Sequence, residues 1–170
     1  MTQSHDDRIR ASVTQLQTAG DALAAALERL NDAAATRKPQ DGGWNAAQIG
    51  WHVAVTNGFL AGLITGAIPS AVPAPTGFVE DAKVFAGVPE KITTFPALEP
   101  PPTATRTEAV EKLRTSTTET IKAIQSMTPE RANGFCVQFP FGALSLYQVA
   151  DFIGGHVVRH QKQLERATQG

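Results

Sequence analysis

The stretch Ser145–Leu164, SLYQVADFIGGHVVRHQKQL, reads as one amphipathic helix with two histidines set into its apolar face. Ser145 and Gln148 make a capping box, in which the serine hydroxyl takes the Gln148 amide and the glutamine reaches back to the Ser145 N–H. Leu146, Val149, Ile153, His156, Val157, His160 and Leu164 then recur at three- and four-residue intervals along one stripe. Such a stripe must be buried against other elements, and the upstream sequence offers three further helices.

The first carries Ile9, Val13, Leu16, Gly20, Leu23, Leu27 and Leu30 on one side, a helix of roughly 30 residues capped within Ser4-His5-Asp6-Asp7. Thr36–Gly43, with Pro39 and a Gly42-Gly43 pair, ends it. A second helix follows at once, capped by Asn45 with Gln48 reaching back. Trp44 and Ile49 form a hydrophobic staple there, and the stripe runs Ile49, Val53, Thr56, Leu60, Leu63. The third starts at the capping box Thr105-Arg106-Thr107-Glu108 and carries Val110, Leu113, Thr117, Ile121 and Ile124. Thr128-Pro129-Glu130 predicts a short helical turn, and FCVQFPFGAL, 135–144, an extended segment or hairpin leading into the last helix. Four substantial helices without a repeat predict an all-α chain built as a four-helix bundle.

Between Gly66 and Ala104 the periodicity disappears, and eight of the eleven prolines lie there. A regular helix is excluded. Phe78, Val84, Phe85, Val88, Ile92, Phe95 and Leu98 nevertheless supply apolar surface, so this reads as a long Pro-rich connection between helices 2 and 3, draped over the bundle with a short helix near Val79–Phe85.

At 170 residues the chain predicts a single domain, 1–170. Lys+Arg 15 against Asp+Glu 16 leaves a net charge of -1 with no run of like charges, which argues against nucleic acid as a partner. No apolar run approaches the ~18 residues of a membrane span. Met1–Arg10 has no apolar core of a secretory signal, and Cys136 is the single cysteine, so a cytoplasmic location is expected.

Three of the four histidines occupy positions that the helix patterns assign to the core. His52 lies beside the inner stripe of the second helix, and His156 and His160, four apart, stand one turn above the other. An unpartnered imidazole in a bundle interior costs about 1–3 kcal/mol. A divalent metal removes all three penalties together, since neutral imidazole is a good ligand and an i,i+4 pair plus one residue from a facing helix can converge on one ion. The segment His156-Val157-Val158-Arg159-His160 lacks the glutamate that gives HExxH proteases their base, so proteolysis is disfavoured and the catalytic residue is unknown. Asp151 lies too far around the helix to support the ligands, Cys136 reads as an inert buried thiol, and His5 has no role. Arg159 and Lys162 lie at the same helix end, where they suit either a solvated face or attraction of an anionic substrate.

Trp44-Asn45-Ala46-Ala47-Gln48-Ile49-Gly50-Trp51-His52-Val53-Ala54 resembles the segment that opens the second helix of the DinB/YfiT-like superfamily. Phe139-Pro140-Phe141-Gly142-Ala143-Leu144-Ser145-Leu146 and the terminal His156-x-x-x-His160-x-x-Gln163-Leu164 are similar to that superfamily's last-helix pattern. The match runs through the chain in order. Asn45 replaces the usual serine or threonine, and 67–104 aligns with no motif. The resemblance implies a DinB-like up-down-down-up bundle. It implies a divalent-metal site, zinc or nickel, formed by His52, His156 and His160. It also implies a homodimer, which the apolar content of the connection suits.

Family activities include transfer of low-molecular-weight thiols such as bacillithiol or mycothiol to electrophiles, mycothiol-dependent isomerisation, and hydrolysis. The expected function is a metal-dependent thiol S-transferase or hydrolase acting on a small molecule. The alternatives are a non-catalytic metal-binding or stress-associated bundle, and a helical interaction module with structural histidines.

Overall fold

The structure, a computed structural model, describes residues 3–89 and 94–169. Six α-helices and a small sheet make up its regular structure among these residues: α1 (His5–Glu28), α2 (Asp32–Thr36), α3 (Ala46–Thr65), α4 (Arg106–Gln125), α5 (Pro129–Gly134) and α6 (Leu146–Thr168), with strands β1 (Val72–Pro73), β2 (Phe135–Phe139) and β3 (Gly142–Ser145). The four long helices are those expected. The α1 helix packs against α4 and α6, and α3 packs against the same two. Leu16 and Leu23 of α1, Ile49 of α3, Leu113 of α4 and Ile153 of α6 are all fully buried where these faces meet. Close approach is set at Gly50, where a Cβ would stand 2.5 Å from Leu27 Cδ1 and 3.2 Å from the Ala109 Cβ.

Local signals explain the helix starts. Asn45 accepts from the Gln48 amide while Gln48 Oε1 accepts from the Asn45 amide, and Ser145 and Gln148 repeat the arrangement. Thr105 caps α4 through the Glu108 amide. The Glu108 carboxylate faces Trp51 Nε1 at 3.3 Å and Lys112 at 3.9 Å instead of closing the box, so tertiary partners outbid the local one.

Two expectations change. The single first helix of roughly 30 residues stops at Glu28, because the Asn31 side chain accepts from the Ala34 amide at 2.8 Å and starts α2 afresh. The chain is mostly helical, but all-α omits one small antiparallel sheet of order β1-β2-β3. The 135–144 hairpin forms β2 and β3, with Val137 opposite Leu144, and the connection adds β1, Val72 opposite Cys136. No periodicity could mark a two-residue strand.

The connection lies over the helices as expected, held by side chains from them. Arg8 of α1 donates to both Glu80 oxygens at 2.9 Å, Ser145 Oγ donates to the same carboxylate, and Gln148 Nε2 donates to the Asp81 carbonyl at 2.9 Å. Val84 is buried, whereas Val79 and Phe95 are 81% and 62% exposed. The short helix expected at Val79–Phe85 is a 3-10 turn at Val84–Gly87, and a second 3-10 turn spans Pro96–Leu98. Ile92, expected to contribute apolar surface, lies outside the described residues.

The C-terminus of α3 is closed by a long-range cap. Gly66 adopts φ 86°, a left-handed conformation that costs glycine little. Above it, Arg131 Nε donates to the Ile64 carbonyl at 2.6 Å and Nη2 to the Leu63 carbonyl at 3.2 Å, while the guanidinium covers the Phe135 ring. Charged hydrogen bonds of this kind are worth about 1.5–3 kcal/mol. Arg131→Ala is therefore expected to lower stability by about 2 kcal/mol, read as an earlier midpoint in urea; an unshifted midpoint would show that water satisfies those carbonyls equally well.

Candidate metal centre

His52 lies in the second turn of α3, on the face turned to α6, and His156 and His160 lie one turn apart on α6. The fold brings all three together. Ring centroids stand 5.3 Å apart for His52 and His156, 4.8 Å for His52 and His160, and 4.4 Å for His156 and His160. One nitrogen from each ring lies within 4.8 Å of the others, and His52 and His160 are buried. The His156 and His160 Nε2 atoms are 3.0 Å apart.

What surrounds the rings determines how they present themselves. The Leu98 carbonyl, which can only accept, is 2.8 Å from His52 Nδ1, so this nitrogen carries the proton and Nε2 keeps a lone pair. Gln163 Oε1 is 2.7 Å from His160 Nδ1 and acts in the same way. His156 has no such support: its Nδ1 is buried without a hydrogen-bond partner, a loss of about 1–3 kcal/mol if nothing else compensates. Trp44 lies against His52 with centroids 4.6 Å apart, and Phe152 stands 6.0 Å from His156. These rings wall off the cluster and lower the local dielectric.

Burial is accordingly the main cause of the histidines' weak basicity. It lowers the His52 pKa, partly offset by the bond to Leu98. It lowers His160 to about 4, helped by the nearby His52 and Arg159 and opposed by Gln163. His156 is pushed well below its ordinary value by burial, then by the charges that His160, His52 and Arg159 would present. All three rings are therefore neutral at pH 7.

Three neutral imidazoles, each offering a ring nitrogen within 4.8 Å of the others in one apolar niche, suit a borderline divalent ion such as zinc or nickel. The donor set fits the metal expected from the sequence.

The other sequence candidates are elsewhere. Asp151 accepts from Ser12 Oγ at 2.6 Å and lies 3.8 Å from Arg8, so it ties α6 to α1; burial raises its pKa, opposed by Ser12 and Arg8. Cys136 is a buried free thiol in β2. His5, given no role, pairs its Nδ1 with the Tyr147 hydroxyl at 2.7 Å. Arg159 Nη1 donates to the Pro89 carbonyl at 2.9 Å and so holds the connection as well as facing solvent. Sequence reasoning missed Leu98, whose carbonyl carries no signal, and the roles of Gln163 and Phe152. Gln163 had one signal: it lies three residues after His160, on the same helix face.

The depressed pKa values predict acid sensitivity of the metal-free protein. An unfolded imidazole takes up its proton near pH 6.5, whereas the folded His160 does so near 4, so stability present above 6.5 is lost as pH falls between these values. Between pH 7.5 and 5 His160 alone accounts for on the order of 2 kcal/mol. Urea midpoints at pH 7.5 and 5 should show the drop, and His160→Leu should reduce it; equal midpoints would mean the rings are not held neutral.

Comparison with curated proteins and with solved structures finds no match. The sequence profile of the DinB superfamily matches residues 15–164, a span that takes in α3 and α4 whole, most of α1 and α6, the connection and the three histidines. The chain belongs to the DinB superfamily.

Proposed function

We propose that the chain is a divalent-metal-dependent enzyme that uses His52, His156 and His160 as ligands, acting on a small molecule as a thiol S-transferase or hydrolase. The observation that carries this reading is the convergence of three neutral imidazoles, two of them anchored through Nδ1, at one junction of α3 and α6. His52, His156 and His160 would hold a zinc or nickel ion through neutral nitrogens, and the ion's undiminished charge would favour the ionised form of a thiol or water. The residues of the chain supply the rest. His52 and His160 offer lone pairs oriented by their own hydrogen bonds, Trp44 and Phe152 exclude water from the flanks, and Arg159 adds positive charge nearby, which suits an anionic substrate.

The same reading takes the chain as one domain, an up-down-down-up four-helix bundle, and a homodimer in solution. Contact registers support the bundle. Ser12 meets Asp151 and Gln15 lies at Gly154, so α1 and α6 run together. Gly20 faces Thr117 while Glu28 pairs with Arg114, so α1 opposes α4. Gly50 lies at Ala109 and Asn57 at Thr120, so α3 and α4 run together. Exposed Val79 and Phe95 on the connection suit a second copy of the chain. No helix among the described residues is long and apolar enough to cross a membrane, and the near-neutral charge is a poor match for nucleic acid.

A non-catalytic metal staple between α3 and α6 is the second reading, favoured by one observation. The ligands come from two helices, His52 from α3 and His156 and His160 from α6, so an ion held by all three would join them.

Metal analysis by mass spectrometry on tag-free protein is expected to find about one zinc or nickel per chain, and His52→Ala, His156→Ala and His160→Ala each to lose it while remaining helical by circular dichroism. Stoichiometric metal retained in all three variants would overturn the site. Thiol titration of the zinc-loaded protein separates the readings: a bound thiol supports the enzyme, whereas a raised melting temperature without thiol binding supports the staple.

A further inference from the structure

The three imidazoles are not equivalent, and the difference lies in what their Nδ1 atoms meet. His52 has the Leu98 carbonyl and His160 has Gln163 Oε1, both acceptors, while His156 Nδ1 is buried without a partner. With its proton on Nδ1, His160 presents an Nε2 lone pair toward His156 Nε2, 3.0 Å away. Two lone pairs at that distance would repel, so His156 must carry its own proton on Nε2 and donate it to His160. That proton lies between the two nitrogens that would have to hold an ion.

The geometry points to Gln163 as a positioning residue for the metal ligands: by accepting the His160 Nδ1 proton it fixes His160 as an Nε2 donor and makes His156 the one ligand whose tautomer must change on metal uptake. This rests on the three-histidine site proposed above. The balance is simple. On metal uptake His156 Nε2 would pass its proton to solvent and Nδ1 would take one up from solvent, so the ring would stay neutral, no net proton would be released, and nothing is oxidised or reduced. The backbone at Leu98 fixes His52 in the same sense, but a backbone carbonyl cannot be removed by substitution, which leaves Gln163 as the testable member. Gln163 is half-buried, three residues beyond His160 on the same helix, and its replacement opens no core cavity.

Two measurements test this. Nitrogen-15 imidazole spectra of the metal-free protein read the tautomers directly. The expected pattern is Nδ1–H for His52 and His160 and Nε2–H for His156, with His160 losing its Nδ1–H preference in Gln163→Leu. Zinc titration then reads the consequence. Supporting hydrogen bonds of this type are worth 10–100-fold in metal affinity, so Gln163→Leu is expected to bind zinc 10–100-fold more weakly. Gln163→Glu, which keeps an acceptor oxygen, is expected to restore the affinity. A purely structural glutamine would not show this rescue. An Nε2–H tautomer for His160, or zinc affinity unchanged in Gln163→Leu, would overturn the assignment. Should the unaltered protein fail to bind zinc, the metal reading falls, while the spectra still decide whether Gln163 sets the tautomer of His160.

Discussion

Three basic side chains held uncharged in an apolar junction are the constraint around which this molecule is arranged. Burial removes the imidazoles from water, which lowers their proton affinity and leaves them as neutral bases. The cost of holding them there is offset by two fixed acceptors and, at the third ring, only by its Nε2 contact with His160, its Nδ1 having no partner. A core built for stability alone would place leucine at these positions. Three histidines gathered at one helix junction, each with a ring nitrogen within 4.8 Å of the others, are an arrangement suited to hold something outside the polypeptide.

The Pro-rich connection belongs to that arrangement and is more than a link between α3 and α4. It reaches the site at two points, through the Leu98 carbonyl on His52 and the Pro89 carbonyl on Arg159, and it is held at its other end by Glu80 against Arg8 and Ser145. Prolines suit this task because they remove competing backbone donors and stiffen a segment that has no ladder of its own. The carbonyls then remain available to side chains. Arg131 solves the converse problem at the end of α3, where the Gly66 and Ile68 amides serve the Gly62 carbonyl and Arg131 serves those of Leu63 and Ile64.

Much of this was legible in the sequence because the signals are local. The Asn45/Gln48 and Ser145/Gln148 boxes lie within four residues, and each starts its helix where expected. His156 and His160 announce a shared face by their spacing alone, and the apolar stripe containing His52 placed it inward. What escaped depends on residues distant in the chain or on groups common to every residue. The Leu98 carbonyl is 46 positions from His52 and chemically like any other carbonyl. Strand β1 exists only because Val72 and Pro73 meet β2. Glu108 was expected to complete a cap and instead serves Trp51, 57 positions away, since a tertiary donor competes with a local one on equal terms. The break before α2 is hard to see because Asn31-Asp32, a helix start in its own right, follows directly on Leu30, the last residue of an unbroken apolar stripe.

The pairing of α1 with α6 bears on how the chain folds. Ser12 meets Asp151 across 139 positions and His5 meets Tyr147 across 142, so α1 finds this neighbour only once a segment that far along the chain has been made. Closing so long a loop costs only slightly more entropy than closing a short one, but it cannot begin until the distant segment exists. Until then α1 has α4, and α3 at Leu27, to cover its apolar stripe, and His52 waits in α3 without His156 and His160. Docking of α6 therefore completes the core and assembles the histidine cluster in one event, so a chain that has not finished folding cannot present the three rings together.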